Sequence, residues 1–462
     1  MQHKRSQIFS VLIAAALAIT LAGCSQSPGT APSDDPINSM GANVATGDTT
    51  TKPLILLDSP AGPGSSAPSL YATDDGRVLM SWLEPLRNDG LETATTRRGR
   101  FALRFATLQS EAWSEPQTIA ESEKFFVNWA DFPVLIESNG MLVAHWLQMN
   151  GGPGTSYDIH ITHSKDGGAT WSDSVVPHSD GTKTEHGFVS MVPELDGGFT
   201  AIWLDGRDFS EHEENVSPEM SLRASRFSGE GTQGREALLD PRICDCCQTS
   251  AEYIGTTLVV AYRDRSEEEV RDIWSVRRTP DGWQAPIRVA HDNWQIPGCP
   301  VNGPAVAGGS STGAIAWFSL REGNPEVKVR FTSDGGKTYS PTILLDQVNE
   351  LDIDAGYERM IQEDHEKWIP GIPLGRVDVE WVDDERVAVI WLVARGSIAE
   401  IVMQTVALDE TRGRRYVLAT TDAARASGFP RLVRSGARLI MAWTEPGSPS
   451  ALHTGVVSLP VK

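Results

Sequence analysis

The sequence predicts an all-β protein: a single β-propeller of seven blades, or six if the first or last repeat is incomplete, closed into a ring by its own N-terminal strand. Three observations carry that expectation. The chain holds 28 Pro and 42 Gly, many in turn-like pairs, while stretches with a helical period are scarce; short strands joined by tight turns have this composition. One unit recurs along the chain: a short apolar strand, a turn often carrying Gly, and an alternating apolar strand ending in an aromatic residue. The last copy stops short of a fourth strand, while an unassigned apolar segment precedes the first.

At the N-terminus, Lys4 and Arg5 precede an apolar run from Ile8 to Leu21, interrupted by Ser10 and Thr20. A run of that length reads as an export signal rather than a membrane-spanning helix. It closes on Leu21-Ala22-Gly23-Cys24, which resembles the lipobox of bacterial lipoproteins. The resemblance implies removal of residues 1–23 and acylation of Cys24. More than one acyl chain is implied, since a single chain anchors a protein only marginally. Ser25, rather than Asp, follows the Cys, which by resemblance to Gram-negative sorting places the protein in the cell envelope at the outer membrane. Residues 24–51 hold hardly a large apolar side chain and read as a disordered tether.

Residues 52–460 are assigned to the propeller. The repeat runs from Pro68 through Asp75-Gly76 to Trp82, from Pro133 through Asn139-Gly140 to Trp146, from Val189 through Gly197-Gly198 to Trp203, and from Ser250 through Gly255 to Tyr262. Three more copies end at Trp317, Trp391 and Trp443. The intervals between these aromatics run from 52 residues (Trp391 to Trp443) to 74 (Trp317 to Trp391), about right for a four-stranded blade with variable loops. Arg104–Thr107, Ile159–Thr162 and Val327–Arg330 read as third strands, and Pro286–Val289 and Pro341–Leu345 as fourth strands. Pro53–Asp58 supplies the strand the seventh copy lacks, which would leave no open sheet edge.

Two hairpins carry a sharper pattern: Ser164-Lys165-Asp166-Gly167-Gly168-Ala169-Thr170-Trp171, and Asp334-Gly335-Gly336-Lys337-Thr338-Tyr339 with Thr332 at the Ser position. They resemble the Asp box of the sialidase-like propeller superfamily. In that pattern Asp166 and Asp334 bond turn amides, Gly168 and Gly336 take positive φ, and Trp171 and Tyr339 pack under the hairpin. The resemblance identifies a fold more firmly than a function.

Blade topology puts the Gly turns and Asp boxes on one face. The loops after each aromatic, and the segments leading into each first strand, lie on the other, around the central channel. That second face collects the candidate catalytic or binding groups Asp205, Arg207, Asp264, Arg265, Arg321 and Arg395. Pairing of these charges between neighbouring loops is the plainer reading. Glu267-Glu268-Glu269 reads as solvated charge. A sialidase needs three arginines around the substrate carboxylate, an acid/base Asp and a Tyr nucleophile. The resemblance puts the first Arg in the segment that here reads Ser66-Ala67-Pro68-Ser69, without Arg. Tyr339 belongs to a hairpin and Tyr416 to an outer strand, so no Tyr falls in the nucleophile position.

Besides Cys24, the chain has Cys244, Cys246, Cys247 and Cys299, all in equivalent lead-in segments of neighbouring blades. Two alternatives stand. In an oxidising compartment they form two disulfides, of three possible connectivities, with Cys246 and Cys247 pointing apart along a strand towards Cys299 and Cys244. Alternatively they form a soft-metal site for copper or zinc, with His186 or His291 nearby.

The formal net charge of −21 disfavours nucleic acid and anionic lipid as partners. Three function classes remain. The leading one is an envelope-anchored propeller binding a glycan or an envelope protein at the channel face. The others are a glycoside hydrolase of the exo-sialidase kind with a rearranged site, and a metal-binding protein using the four cysteines.

Overall fold

The computed structural model describes residues 53–86, 96–97, 99–152, 155–208, 219–348 and 371–458. The leader, Cys24 and the tether expected over residues 24–51 lie outside these residues. Within them the chain forms seven antiparallel blade sheets and a two-stranded pairing of Thr96–Arg97 with Val127–Asn128, and the first strand pairs with the last. The described residues contain one short 3-10 turn, Arg425–Ser427, and no α-helix. None of their helices is long and apolar enough to cross a membrane.

Blade I is built from Ser66–Ala72, Val78–Pro85, Phe101–Gln109 and an outer edge at Gln117–Ser122; blade II from Leu135–Ser138, Met141–Met149 and Tyr157–Ser164. Blade III takes His186–Pro193, Phe199–Asp205, Met220–Phe227 and Ala237–Ile243; blade IV takes Ser250–Ile254, Thr257–Arg263, Ile273–Thr279 and the short Ile287–Arg288. Blade V runs Ala305–Gly308, Gly313–Arg321, Asn324–Thr332 and Ile343–Gln347; blade VI runs Ile372–Trp381, Arg386–Arg395, Ile398–Ala407 and Arg412–Asp422. Blade VII holds Arg431–Ser435, Arg438–Glu445 and Ala451–Val457, and Leu54–Leu57 completes it, pairing Leu54 with Val457 and Leu57 with Thr454. The seventh repeat thus gains its fourth strand from the N-terminal side, and the ring has no free edge there.

The repeated aromatic explains why each blade holds its neighbours. Trp82, Trp203, Trp317 and Trp391 are fully buried between sheets, and truncating one such side chain to Ala costs about 3–5 kcal/mol. A buried indole still needs an acceptor for its N–H. In four blades a carboxylate supplies it: Glu84 to Trp82 at 3.1 Å, Asp205 to Trp203 at 2.8 Å, Asp292 to Trp317 at 2.7 Å and Asp346 to Trp391 at 2.7 Å. In blade IV, Tyr262 donates its hydroxyl to Asp240 at 2.5 Å. Blades II and VII instead stack the Trp on a cross-strand His, Trp146 on His160 and Trp443 on His453.

The two patterned hairpins share one geometry. Asp166 accepts from the Thr170 amide and hydroxyl at 2.9 and 2.6 Å, and Asp334 from those of Thr338 at 3.0 and 2.7 Å. Gly168 and Gly336 have φ of +92° and +77°. Their aromatics reach further than expected. Trp171 meets Phe105 of blade I edge to face at 6.0 Å, and the Tyr339 hydroxyl meets Ser275 of blade IV at 2.8 Å. Each hairpin therefore ties its blade to the preceding one instead of packing only beneath itself.

Candidate functional site

The lead-in segments meet across the axis and fill one end of the channel. Gln248 donates to the Ala130 carbonyl at 2.7 Å and accepts from the Gly303 amide at 3.1 Å. Asn302 accepts from the Arg376 amide at 2.6 Å, and the Arg376 guanidinium donates to the Ser427 hydroxyl at 2.6 Å. Trp129 stacks on Phe429 with 6.0 Å between centroids, and Arg376 sits over the same indole. Blades II, IV, V, VI and VII all contribute to this plug.

A cavity of about 750 Å3 runs from the plug to the first-turn loops at the other end, and is lined by Asp74, Glu137, Glu194, Asp196, Glu252, Asp378 and Glu380, with Arg431 the single cation among the described residues. Burial, with the nearby Glu380 and Asp378, pushes the Glu252 carboxyl up to about 8, and burial pushes Glu380 up to about 7. A carboxylate crowded by others keeps its proton.

Of the predicted residues, Asp205, Arg207, Arg265 and Arg395 are found in ion pairs. Buried Asp205 accepts from Trp203 and from Arg207 Nε and Nη2, both at 2.7 Å, and Arg207 continues to Glu236 at 3.0 Å. Arg265 does not hold its neighbour Asp264; it donates to Glu269 at 2.7 Å. Burial, together with Asp240, pushes the Asp264 carboxyl up to about 7. Arg395 faces Glu400 at 2.9 Å on its own hairpin, and Arg321 is exposed on the hairpin closed by its pairing with Asn324. Three of the four arginines thus already face a carboxylate. Glu269, read as solvated, bridges Arg265 and Arg271.

The four cysteines do converge. Residues 244–247 form a turn rather than a strand, which folds Cys247 back onto Cys244 with Sγ atoms 3.2 Å apart, and places Cys246 Sγ 3.9 Å from Cys244 Sγ. Cys246 in turn clusters with Asp245 and Cys299, donor atoms lying within 4.8 Å of one another. All four thiols are free; a disulfide needs sulfurs about 2.05 Å apart, so the two expected bridges are absent. Cys244 lies against Cys247, and Cys246 neighbours Cys299; the sequence had left the connectivity open.

The surroundings are polar and ordered. The Cys244 amide donates to the Arg263 carbonyl at 3.0 Å, fixing the turn to blade IV. Arg271 donates to Cys244 Sγ at 3.3 Å and to Asp245 at 3.0 Å, while its other arm holds Glu269 at 2.8 Å. Burial alone would raise the Cys244 thiol, but sulfur donors on Cys246 and Cys247 and the Arg271 charge bring it well below the usual range. Cys246 and Cys247 are raised well above it. Its inner members Cys244 and Cys247 are buried and Cys299 is exposed, and the hydrogen bond with Cys246 lowers the Cys299 thiol too. Arg271 and Asp245 carried no repeat or spacing signal in the sequence.

No protein-family model matches this chain and no curated protein does. Among solved structures it is similar to the NanB sialidase from Streptococcus pneumoniae, with 11% identity and a TM-score of 0.43, covering 88% of this chain and 71% of that one. It is similar to a leech intramolecular trans-sialidase, with 12% identity, a TM-score of 0.42 and coverage of 85% and 68%. A Penicillium chrysogenum α-L-arabinanase gives 13% identity, a TM-score of 0.42 and coverage of 71% and 93%. These likenesses concern the fold. By its own seven blade sheets and strand-closed ring, the protein is a seven-bladed β-propeller.

Proposed function

We propose that this protein is a lipid-anchored propeller of the cell envelope that binds one soft metal ion, copper(I) or zinc, at Cys244, Cys246, Cys247 and Cys299. The observation that carries this reading is the convergence of four unbonded thiols from the lead-in segments of two blades. A metal with bonds of about 2.3 Å to sulfur separates its thiolates by roughly 3.8 Å, and the Cys244–Cys246 spacing is 3.9 Å. Thiolate sulfur selects soft ions over the oxygen-loving ones. Arg271 offsets part of the negative charge such a cage carries. The leader supports the same conclusion. In an oxidising compartment, thiols this close persist when a metal holds them and otherwise pair. A glycan at this face would have to pull Arg207, Arg265 or Arg395 from its carboxylate, which makes metal the better-supported ligand.

The test is metal and thiol content of the mature protein recovered from the envelope without chelator, alongside Cys247→Ser and Cys299→Ser. About one copper or zinc per chain, lost in Cys247→Ser and weakened in Cys299→Ser, is expected. Metal-free protein with no titratable thiol would sink the proposal in favour of two disulfides.

A further inference from the structure

The four thiols are not equivalent. Cys244 and Cys247 keep only 1% and 2% of their surface exposed, Cys246 is half-buried and Cys299 is exposed. Cys246 belongs to two groups of converging donor atoms, one with Cys244 and Cys247 and the other with Asp245 and Cys299, each within 4.8 Å. Among the described residues Cys299 joins no such group with Cys244 or Cys247. The sulfurs thus form an inner trio and an outer pair that share one member.

The two parts are also held differently. The inner turn is pinned: the Cys244 amide donates to the Arg263 carbonyl at 3.0 Å, and Arg271 donates to Cys244 Sγ and to Asp245. Gln248, which follows the turn, bonds both Ala130 and Gly303. The outer segment is loose. Among the described residues no hydrogen bond holds the main chain of Pro297, Gly298 or Cys299, and a Cβ on Gly298 would meet only Ile296, at 3.7 Å. A segment with few buried contacts and no main-chain hydrogen bonds moves at low cost.

This asymmetry suits an ion that is handed over. Copper(I) is content with fewer thiolates than the four ligands zinc takes, and it passes between sulfurs by forming a new bond as an old one breaks. A donor or acceptor larger than water has no path to sulfurs as buried as Cys244 and Cys247, so the thiolate it meets first is Cys299.

We propose, resting on the metal reading above, that Cys299 is the transfer ligand of a copper(I) site. The inner trio stores the ion, and Cys246 with Cys299 passes it to and from a copper(I) carrier that offers thiolate or thioether sulfur. On the way out, the bonds to Cys244 and Cys247 break as the bond to Cys299 forms, and the carrier's sulfurs then replace Cys246 and Cys299 in turn. Copper stays copper(I) throughout, and each freed thiolate takes a proton from water. Asp245 offers the outer station only a hard oxygen, already held by Arg271, which makes that station the weaker one and a place of passage.

The test loads the mature protein with copper(I) under nitrogen and follows two transfers by stopped-flow absorbance: release to bathocuproine disulfonate, a bulky chelator, and uptake from copper(I)–glutathione. Cys299→Ser should hold one copper(I) per chain more weakly at equilibrium, yet release and load it severalfold more slowly than the parent. A fourth ligand without a transfer role gives the opposite sign, weaker binding with faster release. Faster or unchanged transfer in Cys299→Ser, with the near-ultraviolet circular dichroism of the parent, would overturn the relay and leave the metal reading standing. A parent chain that takes up no copper(I) would bring down both.

Discussion

In blade V the indole N–H of Trp317 and the ammonium of Lys328 meet opposite oxygens of Asp292, at 2.7 and 2.6 Å. Trp317 and Lys328 are cross-strand partners, and the buried cation has a second carboxylate in Glu326. Blade III starts from the same plan: Trp203 opposite Arg223, with Asp205 under the indole. There the plan is more crowded. Two stacked imidazoles and Asp180 are packed near the same carboxylate, and His178 Nε2, both His186 nitrogens and Asp180 Oδ2 have no hydrogen-bond partner. One repeat thus yields a carboxylate held on both oxygens by a donor from its own blade in one case, and a carboxylate crowded by imidazoles in the other.

The sharpest way to break this comparison is to remove one carboxylate from each blade. Asp292→Ala should leave Lys328 buried without its main acceptor and cost about 3–5 kcal/mol in denaturant unfolding, with metal content unchanged. Asp180→Asn keeps the side chain's shape and should cost less than about 1 kcal/mol. Equal losses of stability would make both clusters structural.

The hairpin glycines give a smaller contrast. A Cβ on Gly168 would lie 2.4 Å from Phe105 Cζ, whereas one on Gly140, also at positive φ, meets nothing within 4 Å. Gly168→Ala should therefore cost about 2–4 kcal/mol, combining strain with overpacking, and Gly140→Ala about 1–2 kcal/mol from strain alone. Thermal unfolding measures both, and similar values would show that the blade I contact yields freely. Tyr339→Phe removes only the bond to Ser275 and should cost about 0.5–1.5 kcal/mol.

The smallest effect is in acid. Hydrogen bonds from Thr170 hold the Asp166 carboxyl down to about 2, from an ordinary value of 3.8. A lowered carboxyl stabilises the fold above its unfolded value and loses that contribution as pH falls through the folded one. Tm of the parent should thus drop more between pH 4 and about 2 than Tm of Asp166→Asn; parallel curves would remove this hairpin from the acid response.

Much of the fold was legible because a repeat is local. The terminal aromatics, the Gly turns and the spare strand at Pro53–Asp58 each follow from nearby residues, and the structure places them in a seven-bladed ring. What stayed hidden depends on contacts across the ring. Trp129, Gln248 and Phe429 belong to three blades and meet only once the circle closes, so the plug had no signature along the chain. Asp292 and Asp346 reach the indoles of Trp317 and Trp391 from outside the repeated unit, 25 and 45 residues away. The turn at residues 244–247 was misread as a strand because adjacent cysteines look alternating, although four convergent thiols were expected. His178 and Asp180 sit on a connection without periodicity, where nothing marked them.

The account rests most directly on what the four cysteines hold. Native mass spectrometry of the mature protein, released from the envelope without chelator or reductant, reads the mass of metal and the oxidation state of sulfur together. The account predicts a species heavier by one copper or zinc bound at the cysteines, which on acid denaturation loses the ion and reveals four reduced thiols. A metal-free species four hydrogens lighter than the reduced chain, carrying two disulfides, would contradict it.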